Sequence, residues 1–292
     1  KEVYLTYDTD LRSISNGEES RFIKQLKFLN QDNINVSMET LNDKIILNQE
    51  KNETIKIDDI IKNKIQELFN DGISASTLNL FIKNPYLFYE QKIIGINDNE
   101  ETKYLNYMDQ GTLIHKVIEN IYSPYINKVL EIDYLDKIIE KIDEITDSTF
   151  FELYSKKPDG KNLIFVEIVK EYIKRIIEFE RKIIKRDKVE IKILFVEKKL
   201  SSFIELNGEK VKIRGIIDRI DLLNGELRII DYKSGLVNQK NLDINNLNSI
   251  QNDSKFSNLL QLLIYKLLVL NNFIHKRIRS PKSTQLILVN SS

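Results

Sequence analysis

Two carboxylates and an ammonium group stand close together in the stretch Arg214-Gly-Ile-Ile-Asp218-Arg-Ile-Asp221, followed by Ile229-Ile-Asp231-Tyr-Lys233-Ser-Gly235. Asp231 and Lys233 are two apart in a strand-like run, so both side chains emerge on one face. Asn224-Gly225 is a strong hairpin signal, and it folds the strand carrying Asp218 back against them. Arg219 and Asp221 have the opposite strand parity to Asp218 and read as supporting residues. Phosphodiester hydrolysis needs such a set. Carboxylates hold a hard divalent cation through oxygen, the cation polarises the phosphate and helps generate hydroxide, and the lysine orients or deprotonates the attacking water. An edge-strand ion pair is the alternative reading of Asp231 and Lys233. Their position favours the site, because a buried strand (227–230) ends where the charges begin, and charges there cost desolvation unless paired or metal-bound.

The elements that must position these groups follow from periodicity. After residue 189 the texture is β-rich over 189–203, 211–223 and 226–232, then a polar loop (238–254), a helix over about 255–272 and a last strand at 284–289. Before it, helical stripes recur after Gly111 (Leu113, Ile114, Val117, Ile118, Ile121), over 131–146 and over 162–186. Ser76 is the expected N-cap of an earlier helix that turns Leu78, Phe81 and Ile82 inward. The first seventy residues read as a separate, incomplete unit: strand-like runs at 3–6 and 45–47, and helices over 18–29 and 57–70. Helices, then a hairpin-containing sheet, then helix and strand make an α/β core with a helical N-terminal elaboration.

Composition sets the outer limits. Of 292 residues, 41% are hydrophobic and 30% charged, a globular balance. The absence of cysteine excludes disulfides, thiolate zinc sites, iron–sulfur clusters and cysteine nucleophiles. No apolar run approaches the roughly 18 residues a membrane helix needs, and the first residues lack the apolar core of a signal peptide. A cytoplasmic protein without membrane attachment is expected. Because the chain opens on Lys1, it reads as a piece of a longer protein. The 44 basic residues are balanced by 44 acidic ones, so no global field favours nucleic acid, although local patches remain open.

The two motifs around Asp218 and Asp231 resemble, almost letter for letter, those of the RecB/AddB-like branch of the PD-(D/E)XK nuclease superfamily. Further matches fall in the same order. Gly111-Thr-Leu-Ile-His115 resembles an upstream segment that ends in a metal-binding histidine. Glu197 stands where the family carries an acidic residue on its first core strand, and Gln261-Leu-Leu-Ile-Tyr265 resembles its Gln-x-x-x-Tyr helix motif. The stretch from Ser74-Ala-Ser76 through Asn84-Pro85-Tyr86 to Gly95 resembles the opening helix of these domains. The resemblance covers roughly residues 73–290. It departs in one respect: Asn84 precedes Pro85 where some relatives have the first cysteine of an iron–sulfur cluster.

This resemblance implies a restriction-endonuclease-like core, a mixed β-sheet flanked by helices, in a nuclease domain at 71–292. Separately, Val3-Tyr-Leu-Thr6 followed by Gly17-Glu-Glu-Ser-Arg-Phe22 resembles the end of a superfamily-1 helicase-like domain, so residues 1–70 would be the tail of such a domain or a linker region. His115, Asp218 and Asp231 would bind Mg2+ or Mn2+, with the Tyr232 carbonyl as an extra ligand, and no iron–sulfur cluster is implied. Lys233 and Glu197 would manage the attacking water alongside the two aspartates, and Gln261 and Tyr265 would position DNA or Lys233. The function implied is a metal-dependent DNA exonuclease within a helicase–nuclease of double-strand-break repair, fused to a helicase-like region and paired with a second helicase–nuclease subunit. Bland readings stand beside these: a structural histidine at His115, a solvated strand end at Glu197, core hydrogen bonding by Gln261 and Tyr265. For the whole chain the rivals are a catalytically inactive DNA-binding or scaffold module of the same fold and a stand-alone endonuclease.

Overall fold

The computed structural model describes residues 21–28, 54–96, 105–235, 237–242, 250, 253–273 and 284–290. The chain divides into two compact units, Lys1–Lys56 and Ile57–Ser292. Within the first, helix α1 (Arg21–Phe28) falls inside the helix expected over 18–29. The strand-like runs at 3–6 and 45–47 lie outside the described residues.

The second unit opens with α2 (Asp59–Asp71), α3 (Ala75–Lys83), α4 (Pro85–Phe88) and a π-helical turn, Tyr89–Ile94. Ser74, not Ser76, caps α3: its hydroxyl accepts the Thr77 amide at 3.2 Å, and Ser76 lies inside the helix. Phe81, expected inward, is exposed and meets the Phe88 ring edge-on, with centroids 5.3 Å apart. Three longer helices follow: α5 (Tyr107–Tyr122), α6 (Ile132–Tyr154) and α7 (Lys161–Asp187). Helix α5 starts before Gly111, because Asn106 and Asp109 form a reciprocal capping box that satisfies its first amides.

Strands β1 (Ile191–Leu206), β2 (Glu209–Leu223) and β3 (Glu226–Lys233), then α8 (Ser257–Phe273) and β4 (Thr284–Asn290), complete the unit. The sheet order is β1-β2-β3-β4. The first two pairings are antiparallel, and β4 runs parallel to β3 after the crossover through α8. The sheet is mixed and flanked by helices, as expected. Asn224 and Gly225 have φ of 51° and 84°, as a two-residue primed turn requires. Asn207-Gly208 repeats this at 51° and 85° and joins β1 to β2 in one long hairpin, so both strands run further than the β-rich stretches 189–203 and 211–223.

Two apolar layers sandwich the sheet. Helices α5, α6 and α7 supply Val117, Ile121, Ile138, Ile173 and Ile177, which pack with Ile191, Ile193, Ile230 and Tyr232. Helix α8 supplies Ile264, Leu268 and Val269, which pack with Ile213, Ile217, Ile220 and Ile229. Along β1, Leu194, Phe195, Leu200 and Ile204 pack with the α8 layer, and the register with β2 shifts between Ile193 and Phe195, so the alternation is interrupted just before Glu197. Glu197 itself has φ of 45°. A left-handed residue inside a strand is disfavoured without glycine, and such strain concentrates at functional positions.

Candidate active site

The ladder between β2 and β3 ends at the pair Arg219 and Ile230. Just past this end, the Asp218 carboxylate replaces the backbone: its Oδ2 accepts the Tyr232 amide at 2.6 Å. Asp231 and Lys233 follow on β3, facing α8. His115, on α5, reaches the same place from the other helical layer. Its Nδ1 lies 3.1 Å from Glu197 Oε1 and 3.4 Å from Asp218 Oδ1. Ligand atoms of His115, Glu197 and Asp218 all lie within 4.8 Å of one another. One imidazole nitrogen and two carboxylates at this spacing form a donor set that a hard or borderline divalent cation accepts.

Gln261 organises the other half. Its carbonyl accepts Lys233 Nζ at 2.8 Å, and its amide donates to Asp231 Oδ1 at 2.9 Å and to the Tyr265 hydroxyl at 2.7 Å. Gln261 and Tyr265 share one face of α8 at i and i+4. Lys233 Nζ also stands 2.9 Å from Asp231 Oδ2, an ion pair off the alignment of a good hydrogen bond, since that oxygen has no aligned donor. Gly215 lets α8 come this near. A Cβ there would lie 3.1 Å from both Tyr265 Cε1 and Leu268 Cδ1.

The site residues expected from the sequence are therefore gathered at one strand end, in two subsets, with the supporting Arg219 and Asp221 on the opposite face of the strands. His115, Glu197 and Asp218 converge directly. Asp231 is turned to Lys233 and Gln261, outside the tightest donor set. Tyr232 joins through its amide to Asp218. The side chains of Asp218 and Asp231 are 5% and 1% exposed, whereas His115, Glu197 and Lys233 are 32%, 20% and 26% exposed. The carboxylates thus form a buried floor beneath a rim open to solvent.

Electrostatics reflect the crowding. Burial pushes the Asp218 carboxyl up to about 7; Asp231 and Glu197 add to this, while His115 and the Tyr232 amide restrain it. Asp231 is also raised by burial, with Lys233 pulling the other way. For His115, burial opposes the imidazolium, but the Glu197 hydrogen bond and the surrounding carboxylates outweigh it and raise the pKa. Protons held among clustered acids are what a cation would displace, so the donor set fits one chemically.

Two positions escaped the sequence reading. The Tyr172 hydroxyl, from α7, donates to the Val289 carbonyl at 2.9 Å, so Tyr172 ties α7 to the end of β4. Within an apolar helical stripe a tyrosine looks like core, and no local signal marks it. Glu180 did carry a signal, as an acid on the buried face of α7 beside Ile173, Ile176 and Ile177.

Residues 72–289 match the sequence model of the PD-(D/E)XK nuclease superfamily. An uncharacterized protein of Rickettsia conorii is 32% identical over 180 residues, covering 59% of this chain and 20% of that protein. Another from Rickettsia typhi is 32% identical over 191 residues, 63% of this chain and 21% of that protein. One subunit of the ATP-dependent helicase/deoxyribonuclease of Streptococcus mutans is 28% identical over 166 residues, 56% of this chain and 14% of that protein. The chain spans about a fifth or less of the length of these relatives.

Proposed function

This chain belongs to the PD-(D/E)XK nuclease superfamily, and we propose that it is a divalent-metal-dependent deoxyribonuclease acting as an exonuclease within a larger helicase–nuclease. The observation that carries the reading is the convergence of His115, Glu197 and Asp218 beside a lysine held in place by Asp231 and Gln261. His115, Glu197 and Asp218 would hold Mg2+ or Mn2+, with Asp231 and the Tyr232 carbonyl completing the protein's share. A bound cation would polarise the scissile phosphate and make water acidic enough to deprotonate near neutral pH. Lys233 points its Nζ to the rim, where it orients the attacking water and offsets phosphate charge. Gln261, braced by Tyr265, holds that ammonium, and both line the approach of DNA. Glu197, on the rim, accepts the proton the water releases.

The Streptococcus relative's name supports a helicase context. In this reading residues 1–70 are the tail of a helicase-like region, residues 71–292 are the nuclease domain, and the assembly pairs with a second helicase–nuclease subunit. It processes DNA ends in double-strand-break repair in the cytoplasm. Among the described residues, no helix is long and apolar enough to cross a membrane.

The test uses the full chain on linear and circular DNA, with and without Mg2+ or Mn2+, comparing wild type with Lys233→Ala. Metal-dependent loss of linear DNA alone is expected, with the variant inactive yet still binding metal, since lysine is not a ligand. Cleavage undiminished by Lys233→Ala, or indifferent to metal, would sink the assignment. Equal cutting of circles would make it an endonuclease.

A further inference from the structure

Behind the site, on the opposite face of the same strands, lies a second cluster of charges. Strand alternation places Arg219 next to Asp218 and Tyr232 next to Asp231, each pointing to the α5–α7 side. Arg219 is fully buried, and its guanidinium carbon sits 4.4 Å over the Tyr122 ring. Its Nη1 lies 2.7 Å from Glu180 Oε1 and donates to the Tyr232 hydroxyl at 3.2 Å, and Nη2 stands 2.6 Å from Asp221 Oδ2. Arg228 grips Asp221 with two hydrogen bonds, at 2.7 and 2.9 Å. The Tyr122 hydroxyl donates to Glu180 Oε2 at 2.7 Å. The network ties α5 and α7 to β2 and β3.

Stability alone is a poor reason for it. Taking Glu180, Arg219, Asp221 and Arg228 out of water carries a desolvation cost that their attraction offsets only in part, and apolar replacements of such clusters are often as stable. Arg219 Nε, moreover, has no acceptor among the described residues. What the network does supply is directional geometry where the sheet lacks it. The β2–β3 ladder stops at Arg219 and Ile230, so no backbone pairing between these strands holds Asp218 in register with Asp231. Among the described residues, β3 beyond that point pairs with β4 alone. Tyr232 bridges the gap from both ends: its amide is fixed by Asp218 and its hydroxyl by Arg219.

We propose that Arg219 is a positioning residue, whose buried network with Glu180, Asp221 and Tyr232 substitutes for the missing β2–β3 pairing and fixes the spacing of Asp218, Asp231 and Lys233. The network acts through the Tyr232 backbone and touches neither metal nor DNA. Its effect on cleavage rests on the nuclease reading above; its effect on the strand end does not.

Tyr232→Phe removes only the hydroxyl that Arg219 holds and leaves the Arg219–Glu180 and Arg219–Asp221 contacts in place. In the metal-free full chain, hydrogen exchange at the Tyr232 and Lys233 amides should accelerate by about tenfold, with the β1–β2 hairpin and the melting temperature unchanged. Mn2+ affinity should fall several-fold, and kcat should fall by about tenfold or more at an unchanged KM for DNA, because small misplacements of reacting groups are costly. Arg219→Lys keeps the charge but cannot fork to Tyr232, Glu180 and Asp221 together, so it should reproduce the pattern rather than rescue it. Unchanged exchange and Mn2+ affinity in Tyr232→Phe would overturn the proposal. Uniform acceleration across the sheet, or wild-type behaviour in Arg219→Lys, would do the same. Local acceleration in Tyr232→Phe, together with a wild-type protein that cleaves no DNA, would leave the positioning role standing and remove the nuclease reading.

Discussion

Replacing Asp218 with asparagine should stabilise the metal-free protein at pH 8 and do much less for it at pH 5. Asp218 is buried, and its carboxyl titrates at about 7 instead of the usual 3.8. A raised folded-state value means that folding favours the protonated acid. The contribution is therefore fully present below pH 4 and is lost as pH rises through about 7. At about 1.4 kcal/mol per pH unit, carrying the group over that interval costs the folded state up to about 4 kcal/mol at pH 8. His115, also raised, sheds its proton in the neighbouring range and adds to the decline. Asparagine keeps an oxygen for the Tyr232 amide and never ionises, so it escapes the cost. A gain of about 2 to 4 kcal/mol should appear as roughly 5 to 12 °C in melting temperature for a unit of this size. Scanning calorimetry in chelator at both pH values would measure it, and saturating Mg2+ should narrow the difference, since only wild type gains from metal. A variant no more stable than wild type at pH 8, or equally stabilised at pH 5, would refute the assignment of strain to the ionised carboxylate.

His115→Ala should weaken Mn2+ binding, and the apparent affinity of wild type should climb from pH 6 to 8 as His115 and Asp218 release protons; calorimetric titrations showing no pH dependence would return the histidine to a structural role. Gly215→Ala should cost about 1 to 3 kcal/mol by overpacking against Tyr265 and Leu268, and should lower kcat as well, because Tyr265 holds Gln261; denaturant melts and single-turnover rates would check both effects. DNA binding by this chain in calcium should be weak, with a shallow salt slope, because 44 basic residues are matched by 44 acidic ones; a log–log slope implying six or more phosphates, at about −0.9 each, would reveal a basic channel.

Much of this site was legible in the residues alone. The Asn224-Gly225 turn and the two-residue period of Asp231 and Lys233 specify a hairpin with two acids and a lysine at one end, and the spacing of Gln261 and Tyr265 puts both on one helix face. These are local properties: a turn needs its own positive φ, and a strand or helix determines which of its side chains share a face. Only the tertiary structure decided which groups meet. It brought His115 to Glu197 and Asp218 rather than to Asp231, and turned Asp231 to Lys233 and Gln261. It also drew Glu180, an acid on an otherwise apolar helix face, into a network with Arg219 behind the strands. Those pairings span elements far apart in sequence, and their distances depend on how α5, α7 and α8 pack on the sheet. The raised pKa of Asp218 has the same origin, since desolvation comes from every neighbour that excludes water and from no single residue in the chain.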